Sequence, residues 1–291
     1  MNDALKIGVF PQKSDDRMIG GILVDSGKLT IDDADRILRL QKGENMRFGE
    51  AGIQLGLLNS GDLQFALARQ FDYPYLRKGE SSIGEELIAA YQPFSPRVEP
   101  LRALRSQLML RCFTGNGNRK SLAIVSPERG EGRSYIAANL AVVFSQLGER
   151  TLLIDADMHN PRLGKLFNLN NKVGLSSILS DRNRGDAVQR VPDLLDLSVL
   201  VSGALPPNPQ ELIGRPAFTK MLEEFEADYD VVLIDTPPCS EYADAQNIAA
   251  RTGATVMVAR KHKTRVELVR EHTMLMMQSG AQVVGTLLNE F

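Results

Sequence analysis

The 291-residue chain has no tryptophan, 2 cysteines and 6% aromatic residues, and no apolar run approaches the roughly 18 residues that a membrane-spanning helix needs. Cys112 and Cys239 stand in apolar or turn contexts with no C-x-x-C pair. This excludes a disulfide framework and a cysteine metal ribbon, and both thiols read as buried in a reducing cytoplasm. No signal-peptide pattern opens the sequence, so a membrane role would run through a partner. Charge of one sign is lacking too. Lys and Arg number 34 against 36 Asp and Glu, so there is no basic tail or face for nucleic acid. What remains is ordinary globular material, 43% apolar and 24% charged, with a length that suits two domains.

Residues 18–70 repeat. Gly20, Gly27 and Gln41 recur as Gly49, Gly56 and Gln70, each 29 positions on. Each copy runs glycine, apolar residues, glycine, an apolar step and a helical stretch that closes in Gln. Thr30 and Asn59 are the expected helix caps, with Asp32, Asp33 and Asp62 placed where a helix N-terminus favours negative charge. Two turn-plus-helix units result.

Residues 79–98 are rich in Gly, Ser and Pro and read as a linker, with a short helix available over 84–91. From Leu101 the apolar spacing is helical. Beyond it, short apolar runs (122–125, 152–154, 197–201, 231–234, 255–259 and 283–288) alternate with helical stretches at 133–147, 209–226 and 265–279. Continuous apolarity in the short runs marks strands buried on both faces. The expected fold is therefore α/β, a doubly wound, mostly parallel sheet, preceded by a small, mainly helical two-repeat domain. The expected boundaries are 1–78, the linker 79–98, and 99–291.

Directly after the first strand comes Gly130-Glu131-Gly132-Arg133-Ser134-Tyr135, then a helical run. Two glycines let backbone N–H groups converge on oxyanions, the helix N-terminus adds positive potential, and the Ser134 hydroxyl is placed to reach a magnesium ion. Arg133 occupies the position where such loops usually carry lysine, and supplies a planar fork in place of a point charge. Asp155 and Asp157 follow the second strand, and Asp235 ends another buried strand. Ligands of open α/β sheets sit outside the carboxyl ends of the strands, so the three acids face the glycine loop. Ser134, Asp235 and a share from Asp157 suit Mg2+, and Asp155 suits the orientation or deprotonation of an attacking hydroxyl.

Taken together, Gly-Glu-Gly-x-Ser, Asp-Ala-Asp-x-x-x-Pro, Pro206-Pro207-Asn208-Pro209-x-Glu211-Leu212 and Ile234-Asp235-Thr236-Pro237-Pro238 resemble the bacterial tyrosine kinases of polysaccharide export. The stretch 128–135 is similar to that of EpsG-type chain-length-determinant kinases, a branch of the ParA/MinD-like P-loop NTPase class. The resemblance runs from about Pro96 to Phe291. It implies ATP and Mg2+ as cofactors and a cytoplasmic kinase that forms rings and works beside the inner membrane with a membrane polysaccharide co-polymerase. It also makes Glu99, Arg102 and Arg105 the oligomerisation motif. The family's C-terminal tyrosine cluster is not matched, since the last tyrosine is Tyr242. The acceptors left are Tyr73, Tyr75, Tyr91, Tyr135, Tyr229 and Tyr242. A non-catalytic ATP-bound scaffold and a surface-organising ATPase stay open beside the kinase.

The repeat resembles the N-terminal domain of type II secretion and pilus ATPases, some of which bind cyclic di-GMP. That resemblance implicates Gly20, Gly27, Arg47, Gly49, Gly56 and Gln70, although Met18 replaces the first arginine. A protein-docking module is the alternative. Lys261, His262, Lys263 and Arg265 read as a solvated helix start, and the solitary His159 as no metal ligand.

Overall fold

The computed structural model describes residues 18–71, 73–76, 79–113, 119–182 and 187–290. The chain divides into two compact units, one ending at Tyr73 and the other starting at Pro74. The first contains α1 (Ile19–Asp25), α2 (Ile31–Glu44), α3 (Phe48–Gln54) and α4 (Ser60–Gln70). Its duplication is visible atom by atom at the caps. Asp33 donates its N–H to Thr30 Oγ1 at 3.1 Å while the Asp33 carboxylate accepts from Thr30 N; Asp62 and Asn59 make the same reciprocal pair at 2.9 and 3.1 Å. The helices pair crosswise, α1 with α4 and α2 with α3, and bury Leu23, Ile37 and Ala66 between them.

The second unit opens with α5 (Ile88–Tyr91) and α6 (Glu99–Leu108), which runs on into one π-helical turn at 109–113. The strands are β1 (Ser121–Val125), β2 (Thr151–Asp155), β3 (Val188–Arg190), β4 (Leu197–Leu200), β5 (Val231–Asp235), β6 (Ala254–Arg260) and β7 (Gln282–Asn289). Between them lie α7 (Arg133–Ser145), α8 (Leu163–Leu166), α9 (Leu175–Leu179), α10 (Pro209–Gly214), α11 (Pro216–Asp228), α12 (Asp244–Thr252) and α13 (Val266–Gln278). The sheet order is β3-β4-β2-β5-β1-β6-β7, parallel except for the short edge strand β3. This is the doubly wound sheet that the apolar runs implied. Alternate residues of each central strand serve opposite cores: Leu122, Ile124 and Leu153 pack with α7, whereas Ala123, Leu152 and Ile154 pack on the face that carries Phe218 and Ile248.

Three local expectations change. The stretch 209–226 is two helices, because Arg215 precedes Pro216 and takes an extended ψ of 152°, the conformation a following proline imposes. The helix α12 and the strand β3 carried too little periodicity to stand out. Residues 79–98, expected as a linker, belong to the second unit's packing. Leu87, Ala89, Ala90 and Val98 are fully buried, and Asn139 of α7 accepts from Ala89 N at 3.0 Å and donates to Glu86 O at 3.2 Å. Turn-rich composition hid these anchors, since four apolar side chains suffice to fix a segment against a helix.

Candidate active site

Register builds the centre of the site. In the β2–β5 pairing Asp155 stands directly opposite Asp235, and β1 lies on the other side of β5 with Ile124 opposite Asp235. Both carboxylates are completely buried, as three parallel strands flanked by helices require. Asp155 Oδ2 accepts N–H bonds from Arg162 (3.1 Å) and Leu163 (2.9 Å), at the start of α8. Its Oδ1 and both oxygens of Asp235 are buried with no hydrogen bond of their own, although the Ser134 hydroxyl lies beside Asp235. Burial, and then the charge of Asp235, push Asp155 well above the ordinary carboxylate range. Burial carries Asp235 up to about 6, with the Arg133 guanidinium and Ser134 hydroxyl pulling the other way. Asp157 is also raised by burial, against an N–H bond from Asn160 at 2.9 Å and the charge of Arg133.

The glycine loop sits beside these acids. Gly130 and Gly132 adopt φ of +78° and +93°, a region that a side chain disfavours. Glu131, fully buried, ties the loop down. Its carboxylate accepts from Glu128 N at 2.8 Å and from the Thr264 hydroxyl, and its carbonyl accepts from Asn289 Nδ2 at 3.0 Å. Arg133 points into the loop: Nε donates to Thr236 O at 2.7 Å, Nη1 to Ser126 Oγ and to Glu128 O at 3.1 Å, and Nη2 lies 3.7 Å from Asp157 Oδ2. Tyr135 lines a cavity of about 810 Å3 together with Gly130, Gly132, Leu101, Leu288 and Asn289. Arg97, Arg162 and Arg260 also edge this cavity, as do Glu86 and Glu290, and Arg162 is paired with Glu86 at 3.1 Å.

Several participants were invisible as motif. The basic stretch after β6 is a clamp on the glycine loop: Lys263 Nζ donates to Arg129 O at 3.1 Å, Arg260 Nη1 to Gly130 O at 3.3 Å, and Thr264 to Glu131. His159 stacks on Tyr242, ring centroids 3.6 Å apart, and its Nε2 meets the buried Asp244 at 2.9 Å. Cys112 is buried as expected, whereas Cys239 is only half-buried, and desolvation by its surroundings pushes its thiol up to about 12, away from the thiolate form. The only advance signals were the charge cluster at 261–265 and a histidine two residues after Asp157.

Sequence and structure align with known proteins over this unit. A family model, ParA, described as the NUBPL iron-transfer P-loop NTPase, matches residues 117–290. The tyrosine-protein kinase YwqD of Bacillus subtilis is 35% identical over 215 residues, which cover 74% of this chain and 90% of that protein. The chain belongs to the ParA-type P-loop NTPases, in their bacterial tyrosine-protein kinase branch. The putative tyrosine-protein kinase EpsB of Ralstonia nicotianae is 35% identical over 209 residues, 71% of this chain and 27% of EpsB. The chain thus spans about a quarter of the length of that relative. Among solved structures, the kinase domain of the Escherichia coli tyrosine kinase ETK superposes with a TM-score of 0.67 at 29% identity, covering 70% of this chain and 79% of that one.

For a divalent ion the donor set fits in part. Among the described residues no group of three or more His, Cys, Asp or Glu converges at metal-ligand spacing. The orphaned oxygens of Asp235 and the adjacent Ser134 hydroxyl are hard ligands of the kind Mg2+ takes when phosphates and waters complete its shell. Two such donors leave the rest of a metal shell to phosphates and water.

The other candidate residues fall elsewhere. Arg102 bonds Glu99 at 3.4 Å and donates to Pro93 O, and Arg105 Nη1 donates to Val143 O at 2.7 Å, so both guanidiniums have contacts inside their own unit. In the first unit, Gly20, Gln41, Phe48 and Gln70 line a groove of about 500 Å3, whereas Arg47, Gly49, Gly27 and Gly56 do not. Among the described residues its charged lining is Asp25 and Asp35, with no cation. A Cβ at Gly49 would lie 2.7 Å from both methyls of Leu63, and one at Gly20 3.1 Å from the Phe48 ring, so these glycines serve helix packing. Gly27 and Gly56 share a positive φ, +70° and +67°, at equivalent turns.

Proposed function

We propose that the chain is an ATP-dependent protein tyrosine kinase of an exopolysaccharide biosynthesis or export system, acting on chain length through a membrane co-polymerase. One observation carries the chemistry: Asp155 and Asp235 stand side by side in register, with buried oxygens that lack hydrogen-bond partners, next to a glycine loop that opens a helix. The names of the relatives support the tyrosine-kinase activity, and the motif resemblance to the kinases of polysaccharide export supports the biological setting.

In this reading the loop amides between Gly130 and Ser134 and the N-terminus of α7 bind the phosphates of ATP. Ser134 and Asp235, directly or through water, with a share from Asp157, would hold Mg2+, which would supply charge neutralisation at the phosphate oxygens. An acceptor tyrosine's phenolic oxygen attacks the γ-phosphorus, the bond from phosphorus to the β,γ-bridging oxygen breaks, and ADP leaves. The phenolic proton passes to Asp155 Oδ1, the oxygen that the amides of Arg162 and Leu163 leave free. The nucleoside lies in the cavity beside Tyr135, with Leu101 and Leu288 as apolar walls. Self-assembly through α6 with Glu99, Arg102 and Arg105 and attachment to the inner membrane through the co-polymerase complete the proposal. No helix among the described residues is long and apolar enough to cross a membrane.

A second reading, an ATP-bound scaffold or ATPase switch, is favoured by the protein contacts that already occupy Arg133. The first unit is the sensor arm in either case. Its ligand is cyclic di-GMP or a protein segment, and the apolar, acidic lining of the groove among the described residues favours the protein. Incubation with γ-labelled ATP, with and without the co-polymerase's cytoplasmic tail, separates the readings. Labelled phosphotyrosine supports the kinase, phosphate release without it supports the ATPase, and tight binding with neither supports the scaffold.

A further inference from the structure

Resting on the nucleotide reading of the glycine loop, we propose that Lys263 is the cation that meets the triphosphate, while Arg133 is a brace that holds the loop in shape. Arg133 is nearly spent in the protein. Three of its N–H groups are bonded to Thr236 O, Ser126 Oγ and Glu128 O, and the far nitrogen faces Asp157, itself buried. These contacts join the loop after β1 to the ends of β2 and β5. For Arg133 to turn toward phosphate it would surrender three bonds, strand the Thr236 carbonyl and take from the buried Asp157 carboxylate its nearest counter-charge, a cost that a buried ion pair makes steep.

Lys263 is in the opposite condition. It is exposed, uses one of three donors on Arg129 O at 3.1 Å, and has no acid partner among the described residues. Its ammonium lies over the bare backbone of Gly130, where an added Cβ would find Lys263 Nζ at 3.4 Å as its nearest neighbour. The turn that presents it is fixed on both sides, by Arg260 on Gly130 O and by Thr264 on Glu131. His262, at φ +60°, reverses the chain between them. A mobile point charge on a rigid turn at the loop's lip is what a polyphosphate needs, since lysine on a flexible stem can follow a moving charge where a fully bonded guanidinium cannot.

The experiment is calorimetric titration of the full chain with AMP, Mg-ADP and Mg-ATP. Lys263→Met is expected to weaken ATP and ADP by about tenfold or more, as loss of a charge-assisted contact does, with the loss growing from AMP to ATP and the apo melting temperature unmoved. Lys263→Arg is expected to recover most of the affinity. Arg133→Met is expected to lower the apo melting temperature. ATP binding by Lys263→Met within about twofold of wild type, or an Arg133→Met protein that melts normally yet loses ATP, would overturn the inference. A wild-type chain that binds none of the three nucleotides overturns the nucleotide reading itself, and this inference with it.

Discussion

At Gly49 the α3 backbone lies so close to α4 that a Cβ would press on Leu63 at 2.7 Å, whereas at Gly130 the same added atom meets nothing nearer than the flexible tip of Lys263, at 3.4 Å. The first glycine exists so that two helices can touch, the second so that backbone amides stay bare. Gly49 and Gly130 therefore mean opposite things in the two units. Packing glycines bear on stability, and on the nucleotide reading the loop glycines bear on binding.

The comparison breaks most sharply at the acids. In a melting titration Mg-ATP should stabilise the wild type by about 2.7 kcal/mol at a hundredfold excess over Kd, and Asp235→Ala should show no shift. A shift that survives Asp235→Ala would detach the loop from the strand ends. Without ligand, the same residue should show an inverted effect. Asp235 titrates near 6 in the fold and near 3.8 unfolded, so the folded state keeps a proton that the unfolded chain releases. Its contribution is then intact below pH 4 and lost as pH rises through 6, a loss on the order of 3 kcal/mol. Apo Asp235→Asn should therefore be the more stable protein at pH 7.5 and lose that advantage toward pH 4, as read by denaturant unfolding across pH. An advantage independent of pH would contradict the raised titration.

Gly49→Val should destabilise the first unit by about 1–3 kcal/mol through overpacking while ATP affinity stays put. Gly130→Val, strained at φ +78°, should do the reverse, weakening ATP in calorimetry while the first unit's unfolding is unchanged. The smallest effects test the duplication: Thr30→Ala and Asn59→Ala should each cost about 1 kcal/mol, and by similar amounts, because the capping boxes match.

What the sequence made legible was local or strictly periodic. The glycine loop, Ser134, Asp155, Asp157 and Asp235 could be placed because a buried parallel strand announces itself by continuous apolarity and its ligand end follows from the chain direction. The capping residues Thr30 and Asn59 were legible for the same reason. The clamp on the loop was not, because Lys263 and Thr264 reach partners more than a hundred positions away and a basic cluster before a helix has the same composition whether it is solvated or docked. Segment 79–98 misled because proline and glycine counts describe the turns and say nothing of Leu87 or Val98, and the break at Pro216 was passed over in favour of the apolar period on either side.

The central claim is that one Mg-ATP binds at the carboxyl ends of β1, β2 and β5. A crystal structure of the full chain with Mg2+ and a non-hydrolysable ATP analogue tests it directly. The metal should lie about 2.0–2.1 Å from a Ser134 or Asp235 oxygen, or one water away, with the phosphates wrapped by residues 130–134. A nucleotide bound elsewhere, with Asp235 and Ser134 untouched by metal or its waters, would contradict it.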